Sequence, residues 1–244
     1  MPKVKKIKQE IVVVIDSSGS MYSSATDVIG GFNQYISDLK ANQDVNIKLS
    51  LITFDGVVNK KYSGKSIKDV TNICEETYKP RGSTALNDAV MEAINDVKSR
   101  LKKTKTPPQV IIVVFTDGEE NSSTEFSVDD VKKSRAEMEE QGWLFIFMGA
   151  DMDAWKASSV YGMSAGNTIS LGKNAIKDSV LYLSNRTSKA AKLHTSFLTG
   201  DLSKASYATA TQSLMALDDD DLTNDEDAVR LREIIDQSSN VKSN

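Results

Sequence analysis

Apolar residues follow two alternating rhythms along this chain. The run EIVVVID (10–16) is β-branched and unbroken, as a strand covered on both faces requires, and it predicts the centre of a sheet. Over 25–40, Val28, Ile29, Phe32, Tyr35, Ile36 and Leu39 recur at three- and four-residue spacings, which predicts an amphipathic helix in spite of the Gly30-Gly31 pair. VNIKLSLITF (45–54) places Val45, Ile47, Leu49 and Leu51 on one face, the alternation of a more peripheral strand. Only Asp55-Gly56 separates Phe54 from Val57. That two-residue turn signal makes VVNKKYS (57–63) an antiparallel edge partner.

The alternation continues. Leu86, Val90, Ile94, Val97 and Leu101 form one stripe of a helix over 84–101, and Pro107-Pro108 mark the loop after it. A second buried strand follows at 109–117, then a helix closing on Gly142, a strand at 143–150, a short helix at 153–160, a small strand at 168–171 and a helix over 176–198. Strands alternating with helices under right-handed crossovers predict an α/β fold: an open, doubly wound, mostly parallel six-stranded sheet with one antiparallel edge strand and helices on both faces. Residues 1–200 are expected to form this one domain, with its binding crevice at the carboxyl ends of the strands.

The last stretch differs in character. Residues 201–217 are rich in Ser, Thr and Ala and lead into Asp218 to Asp221 and then Asp225-Glu226-Asp227. With ten acids and four bases, 201–244 carries a formal charge of -6, which leaves about +2 on the rest. It reads as an acidic appendage or tail, with DEDAVRLREIIDQ as a short terminal helix.

Composition narrows the function. A net charge of -4, with 26% charged residues of mixed sign, lacks the basic face of a nucleic-acid binder. No apolar run approaches the length of a membrane span, and the basic start MPKVKKIKQE is not followed by the apolar core of a secretory leader. Cys74 is the single cysteine, so no intramolecular disulfide can form and a reducing, cytoplasmic location is expected. In NICEET it reads as a small, partly buried core residue without chemistry.

Three distant pieces fall at or just after the carboxyl ends of central strands. They are Asp16-Ser17-Ser18-Gly19-Ser20, Arg81-Gly82-Ser83-Thr84 and Thr116-Asp117-Gly118. Ser18, Ser20 and Thr84 offer neutral hydroxyls, whereas Asp16 and Asp117 supply two negative charges. A hard, strongly hydrated cation such as Mg²⁺ accepts such an oxygen shell and keeps room for a further anionic ligand. Gly19 and Gly118 would let the loops approach closely. Read singly, the same residues are helix caps and turn formers; capping does not account for all five meeting at one crevice.

Together, DSSGSM, GSTALNDA and FTDGEEN resemble the metal-ion-dependent adhesion site of the von Willebrand factor A family, and the element order from residue 10 to about 200 is similar to that fold. The resemblance implies direct metal contacts from Ser18 and Ser20, and contacts mostly through water from Asp16 and Asp117. For Thr84 it implies a contact that is direct or water-bridged depending on conformation. It also implies Mg²⁺, or Mn²⁺ or Ca²⁺, as the ion, a non-enzymatic role, and a partner protein supplying an Asp or Glu carboxylate. The single cysteine and missing leader are similar to the intracellular bacterial or phage branch, whose members work beside AAA-type ATPases or in stress and assembly complexes.

Two other classes stay open at this point: a metal-assisted hydrolase or phosphatase, and a scaffold whose metal only ties loops together. A phosphoaspartate enzyme would place a second acid where Ser18 stands and a Lys near the crevice. His194, the sole histidine, reads as a solvated helix residue, and Glu119-Glu120 as a solvated loop face. Asp151 and Asp153 read as crevice rim or helix start, and Trp143 and Trp155 as packing residues. The acids at 218–221 could compete for the cation as a tethered ligand.

Overall fold

In the central strand every residue from Gln9 to Asp16 is buried, as its unbroken apolar run requires. The computed structural model describes residues 7–117, 119–149, 160–162, 168–170 and 176–214. Within them the strands are β1 (Ile7–Asp16), β2 (Val45–Phe54), β3 (Val58–Ser66), β4 (Gln109–Phe115), β5 (Leu144–Gly149) and β6 (Thr168–Ser170). The helices are α1 (Ala25–Ala41), α2 (Leu86–Leu101), α3 (Val128–Glu139), α4 (Ile176–Thr199) and α5 (Lys204–Ser213). Sheet order is β3-β2-β1-β4-β5-β6, with β2–β3 antiparallel and the other pairs parallel. The predicted fold class and its antiparallel edge are both present. All but the last residue of the short helix expected at 153–160, with Trp155, Asp151, Asp153, Gly118 and the acids beyond 214, lie outside the described residues.

Side-chain alternation in β1 divides the core into two layers. Ile11, Val13 and Ile15 pack with Phe32, Tyr35 and Ile36 of α1 and with Leu183 of α4, while Val12 and Val14 pack with Leu86, Val90 and Ile94 of α2 and Val131 of α3. Each fully buried side chain of this size contributes roughly 1.5–3 kcal/mol. A sheet filled on both faces leaves the strand ends as the place for polar chemistry.

At the amino-terminal edge of β1 a charged network joins three elements. Arg100 of α2 donates to Glu10 of β1 and, at 3.1 Å, to Asp96, while Asp96 also accepts from Ser63 of β3 at 2.8 Å and from Lys60 at 3.1 Å. Burial acts to raise the Asp96 pKa, but bonds from Ser63, Lys60 and Arg100 together outweigh it and hold the carboxyl below its ordinary value. Beside this network β3 slips in register against β2 around Leu51, and Gly64, at φ +59°, donates its N–H to Ser50 Oγ at 2.9 Å.

The chain does not leave the core at residue 200. Tyr207, Ala210 and Leu214 are buried in the same cluster as α1 and α4, so packing shows no boundary at the point where composition changes. Tyr207 fits because residue 142 is glycine: a Cβ there would stand 2.1 Å from the Tyr207 ring. Its hydroxyl donates to Gln109 Oε1 and lies 3.1 Å from His194 Nδ1, while His194 Nε2 lies 3.1 Å from the Pro107 carbonyl. His194 is therefore a buried packing residue rather than a solvated one. Burial lowers its pKa, an effect the Pro107 bond only partly offsets. Cys74 is the opposite case; it is exposed, at the start of a turn that follows the short 3-10 segment Ile67–Asp69, not in the core.

Two outcomes are expected. Tyr207→Ala should lower unfolding free energy by about 3 kcal/mol or more in urea titration and expose 200–214 to proteolysis, whereas Leu181→Ala, at a side chain 55% exposed, should change stability by no more than about 0.5 kcal/mol. Asp96→Asn should cost about 3 kcal/mol at neutral pH. Because its folded pKa is depressed, the Asp96 contribution is full above its unfolded value of about 3.9 and is lost as pH falls through the folded one. Parent and variant stabilities measured across that acidic range should converge.

Candidate metal centre

Asp16 ends β1 with no exposed surface. Its Oδ1 accepts from the Ser18 N–H at 2.7 Å, its Oδ2 from the Thr116 hydroxyl at 2.7 Å, and its carbonyl from the Tyr78 hydroxyl at 2.5 Å. Thr116, the first residue past β4, is held in turn by its own N–H on the Met148 carbonyl at 2.9 Å. Burial pushes the Asp16 carboxyl above its ordinary pKa; bonds from Thr116 and Ser18 act the other way, and the nearby charge of Asp117 adds to the rise. A cation against this group would relieve both the burial cost and the repulsion.

The other predicted donors extend from it. Ser18 is buried, Ser20 is exposed, and their hydroxyls lie 3.1 Å apart. Ser20 donates its only proton to Asp117 Oδ1 at 2.8 Å, so the proton between the serines belongs to Ser18. The relay Ser18–Ser20–Asp117 ends on a carboxylate and leaves serine lone pairs available to a cation. Asp16, Ser18, Ser20 and Asp117 are thus brought together by direct contacts.

The loop that carries Thr84 is joined to the first loop by the backbone of Thr84's neighbours. Arg81 N–H donates to Ser17 O at 2.7 Å, Gly19 N–H to Gly82 O at 3.1 Å, and Ala85 N–H to Asp55 O at 2.8 Å. Gly82 takes φ +71°, and a Cβ on Gly19 would sit 3.4 Å from the Gly82 carbonyl, so the approach suits two glycines. Thr84 is buried; its N–H donates to Asn121 Oδ1 at 2.9 Å, and its carbonyl accepts from Asn121 and Ser122 N–H groups. Among the described residues, no hydrogen bond joins its hydroxyl to the other four donors.

The loop after Asp117 does work that the sequence did not reveal. Glu120 accepts from the N–H groups of Asn87, Ser122 and Ser123, and Ser123 Oγ accepts from the Asp88 N–H, so this loop caps the first turn of α2 from outside. Asp88 returns the contact by accepting from the N–H groups of Thr124 and Phe126. Glu119 is exposed as expected, whereas Glu120 is a structural cap rather than a solvated side chain. A helix that opens without a capping side chain of its own, facing an acid-rich GEEN segment, was the available signal.

Two carboxylates and three hydroxyls, presented from three loops, suit a hard divalent ion that retains water. Among the described residues no three His, Cys, Asp or Glu side chains gather into a cation site; the set here is of another kind, rich in hydroxyls. A cavity of about 290 Å³ adjoins it, lined by Met21, Ser24, Asp27, Val28, Thr116 and Asp117 among others.

Comparison with known proteins bears on the fold and the family. The vWF domain of the type V pilus tip protein Mfa5 from Porphyromonas gingivalis superposes with a TM-score of 0.59 at 11% identity, covering 76% of this chain and 96% of that one. Manganese-loaded TRAP protein from Plasmodium vivax gives 0.51 at 16% identity, with 72% of each chain covered. Proximal thread matrix protein 1 from the mussel byssus gives 0.48 at 16% identity; the chain spans 46% of that protein's length. No curated protein matches the chain in sequence. Residues 10–169 match the von Willebrand factor type A domain. The chain belongs to the von Willebrand factor type A family, whose members serve as metal-dependent adhesion and protein-interaction modules.

Proposed function

We propose that this domain is a non-enzymatic protein-binding module in which Asp16, Ser18, Ser20, Thr84 and Asp117 hold one divalent cation, and that the cation grips an Asp or Glu carboxylate of a partner protein. The observation that carries the reading is the continuous contact from buried Asp16 through Ser18 and Ser20 to Asp117. Mg²⁺ is the first choice, with Mn²⁺ or Ca²⁺ as alternatives; the Plasmodium vivax neighbour is manganese-loaded. When bound, the ion supplies a Lewis-acidic position for an anionic oxygen. The chain's own part is to fix two charges and orient three hydroxyls so that this position faces solvent.

Several observations favour binding over the alternatives. Ser18 occupies the place where a phosphoaspartate enzyme would carry its second acid, and His194 is buried between Tyr207 and Pro107, so neither supplies the usual machinery of hydrolysis. Backbone bonds between residues 17–19, 55 and 81–85 already join the loops, so an ion is not needed as a tie and a purely scaffolding role is disfavoured. The proposal extends to a cytoplasmic setting in a bacterium or phage, with an AAA-type ATPase or a stress or assembly complex as partner. It draws there on the single exposed Cys74 and the family resemblance. No helix among the described residues is long and apolar enough to cross a membrane.

Calorimetric titration with Mg²⁺ and Mn²⁺ tests the site. Asp117→Ala, at a part-exposed position, and Ser20→Ala should weaken cation affinity by about tenfold or more, on the scale of metal-shell substitutions, with the far-ultraviolet spectrum unchanged. Parental affinity in both would remove the assignment. Binding is tested by capture: proteins retained on the immobilised domain in Mg²⁺ should be released by chelator and should not be retained by the Asp16→Ala variant. Capture indifferent to both treatments would refute the cation grip.

A further inference from the structure

Beside the cation loops stands a charged side chain that neither the core nor the metal centre uses. Arg81 immediately precedes Gly82, and its backbone N–H is bonded to Ser17 O, between Asp16 and Ser18 in sequence. Its side chain is 83% exposed, and its Nε lies 3.4 Å from Asp55 Oδ2. Asp55 is fixed beneath it: Oδ1 accepts from the Val57 N–H at 2.9 Å, its carbonyl accepts from Ala85, and its side chain is only 16% exposed. An ion pair as exposed as this one does little for stability. Its contact is through Nε, so the outer edge of the guanidinium, formed by the two terminal nitrogens, is not the edge turned to Asp55.

Those terminal nitrogens make no hydrogen bond or ion pair with any described residue. They form a planar fork of N–H donors, the geometry that takes a carboxylate through two parallel bonds. Next to the fork, at the tip of the β2–β3 turn, Val57 is 64% exposed and is set by the same Asp55. The surface on this side of the centre therefore presents a cation and an apolar knob, with the compensating acid underneath.

We infer that Arg81 is a second carboxylate-reading group beside the metal centre, so that the domain selects protein segments bearing two acidic side chains, one for the cation and one for the Arg81 fork. The inference rests on the proposed cation grip and specifies its partner.

The test uses the full chain in Mg²⁺ and blocked glycine peptides carrying either one glutamate or two glutamates at increasing spacing, with binding read by fluorescence polarisation. At the best spacing the two-acid peptide should bind about fivefold tighter than the one-acid peptide, equivalent to ~1 kcal/mol, and the advantage should shrink as salt rises. Arg81→Gln should bring the two-acid peptide to the level of the one-acid peptide while leaving the latter unchanged. Arg81→Lys, a point charge without the fork, should keep only part of the preference. A two-acid preference that survives Arg81→Gln, or no preference in the parent, would overturn the inference while leaving chelator-sensitive binding of the one-acid peptide, and with it the cation grip, intact. If neither peptide binds in a chelator-sensitive way, the grip itself fails and the role of Arg81 falls with it.

Discussion

A carboxylate without exposed surface, at the end of a strand whose preceding five residues are all buried and apolar, is the constraint around which this domain is organised. Ionised groups are costly to bury unless charge and hydrogen bonds compensate. The Asp16 carboxylate accepts from Ser18 and Thr116, while Tyr78 donates to the Asp16 backbone carbonyl, so residues from three separate parts of the chain hold it. Each donor is set by a different element: Ser18 by the turn after β1, Thr116 by the end of β4, and Tyr78 by the segment before α2. The sheet has to bring those elements together before the carboxylate can be tolerated. The remaining imbalance, seen in the raised pKa of Asp16 and the proximity of Asp117, is electrostatic and calls for positive charge.

Much of this was legible in the sequence because it depends on local pattern. β1 and β4 stand out as unbroken β-branched runs, Asp55-Gly56 signals an antiparallel return, and the three oxygen-rich pieces follow strand ends or open a helix. Small displacements have plain causes. β4 stops at Phe115 because Thr116 turns to Asp16, and α2 begins at Leu86 because Thr84 and Ala85 are held by Asn121 and Asp55.

Pairings across long sequence separations were not legible. His194 has the appearance of a polar residue on a helix surface, and only the arrival of α5 with Tyr207 encloses it. The 201–214 segment looks like a linker because Ser, Thr and Ala carry little hydrophobic signal. Its burial instead comes from a few residues, Tyr207 above all, which occupy room that Gly142 leaves free. Cys74 errs in the opposite direction: a small thiol suits a core, but the loop that carries it runs over the surface and binds Thr77 instead. Glu120 could not be separated from Glu119 by composition, since only the approach of α2 turns one of two adjacent acids into a cap.

The edge of the sheet has a bearing on how the molecule coexists with its neighbours at high concentration. β3 carries Lys60, Lys61 and Lys65, loses regular register against β2, and has no fully buried residue along its length. An edge that is cationic and irregular is a poor template for a strand from another chain, which is how many sheets avoid growing into fibres. The described part of the opposite edge, β6, is three residues long. Along the β3 flank self-templated polymerisation is thus opposed by charge and irregularity, independently of anything at the strand ends, and the loops there can vary in sequence without reopening that route to aggregation.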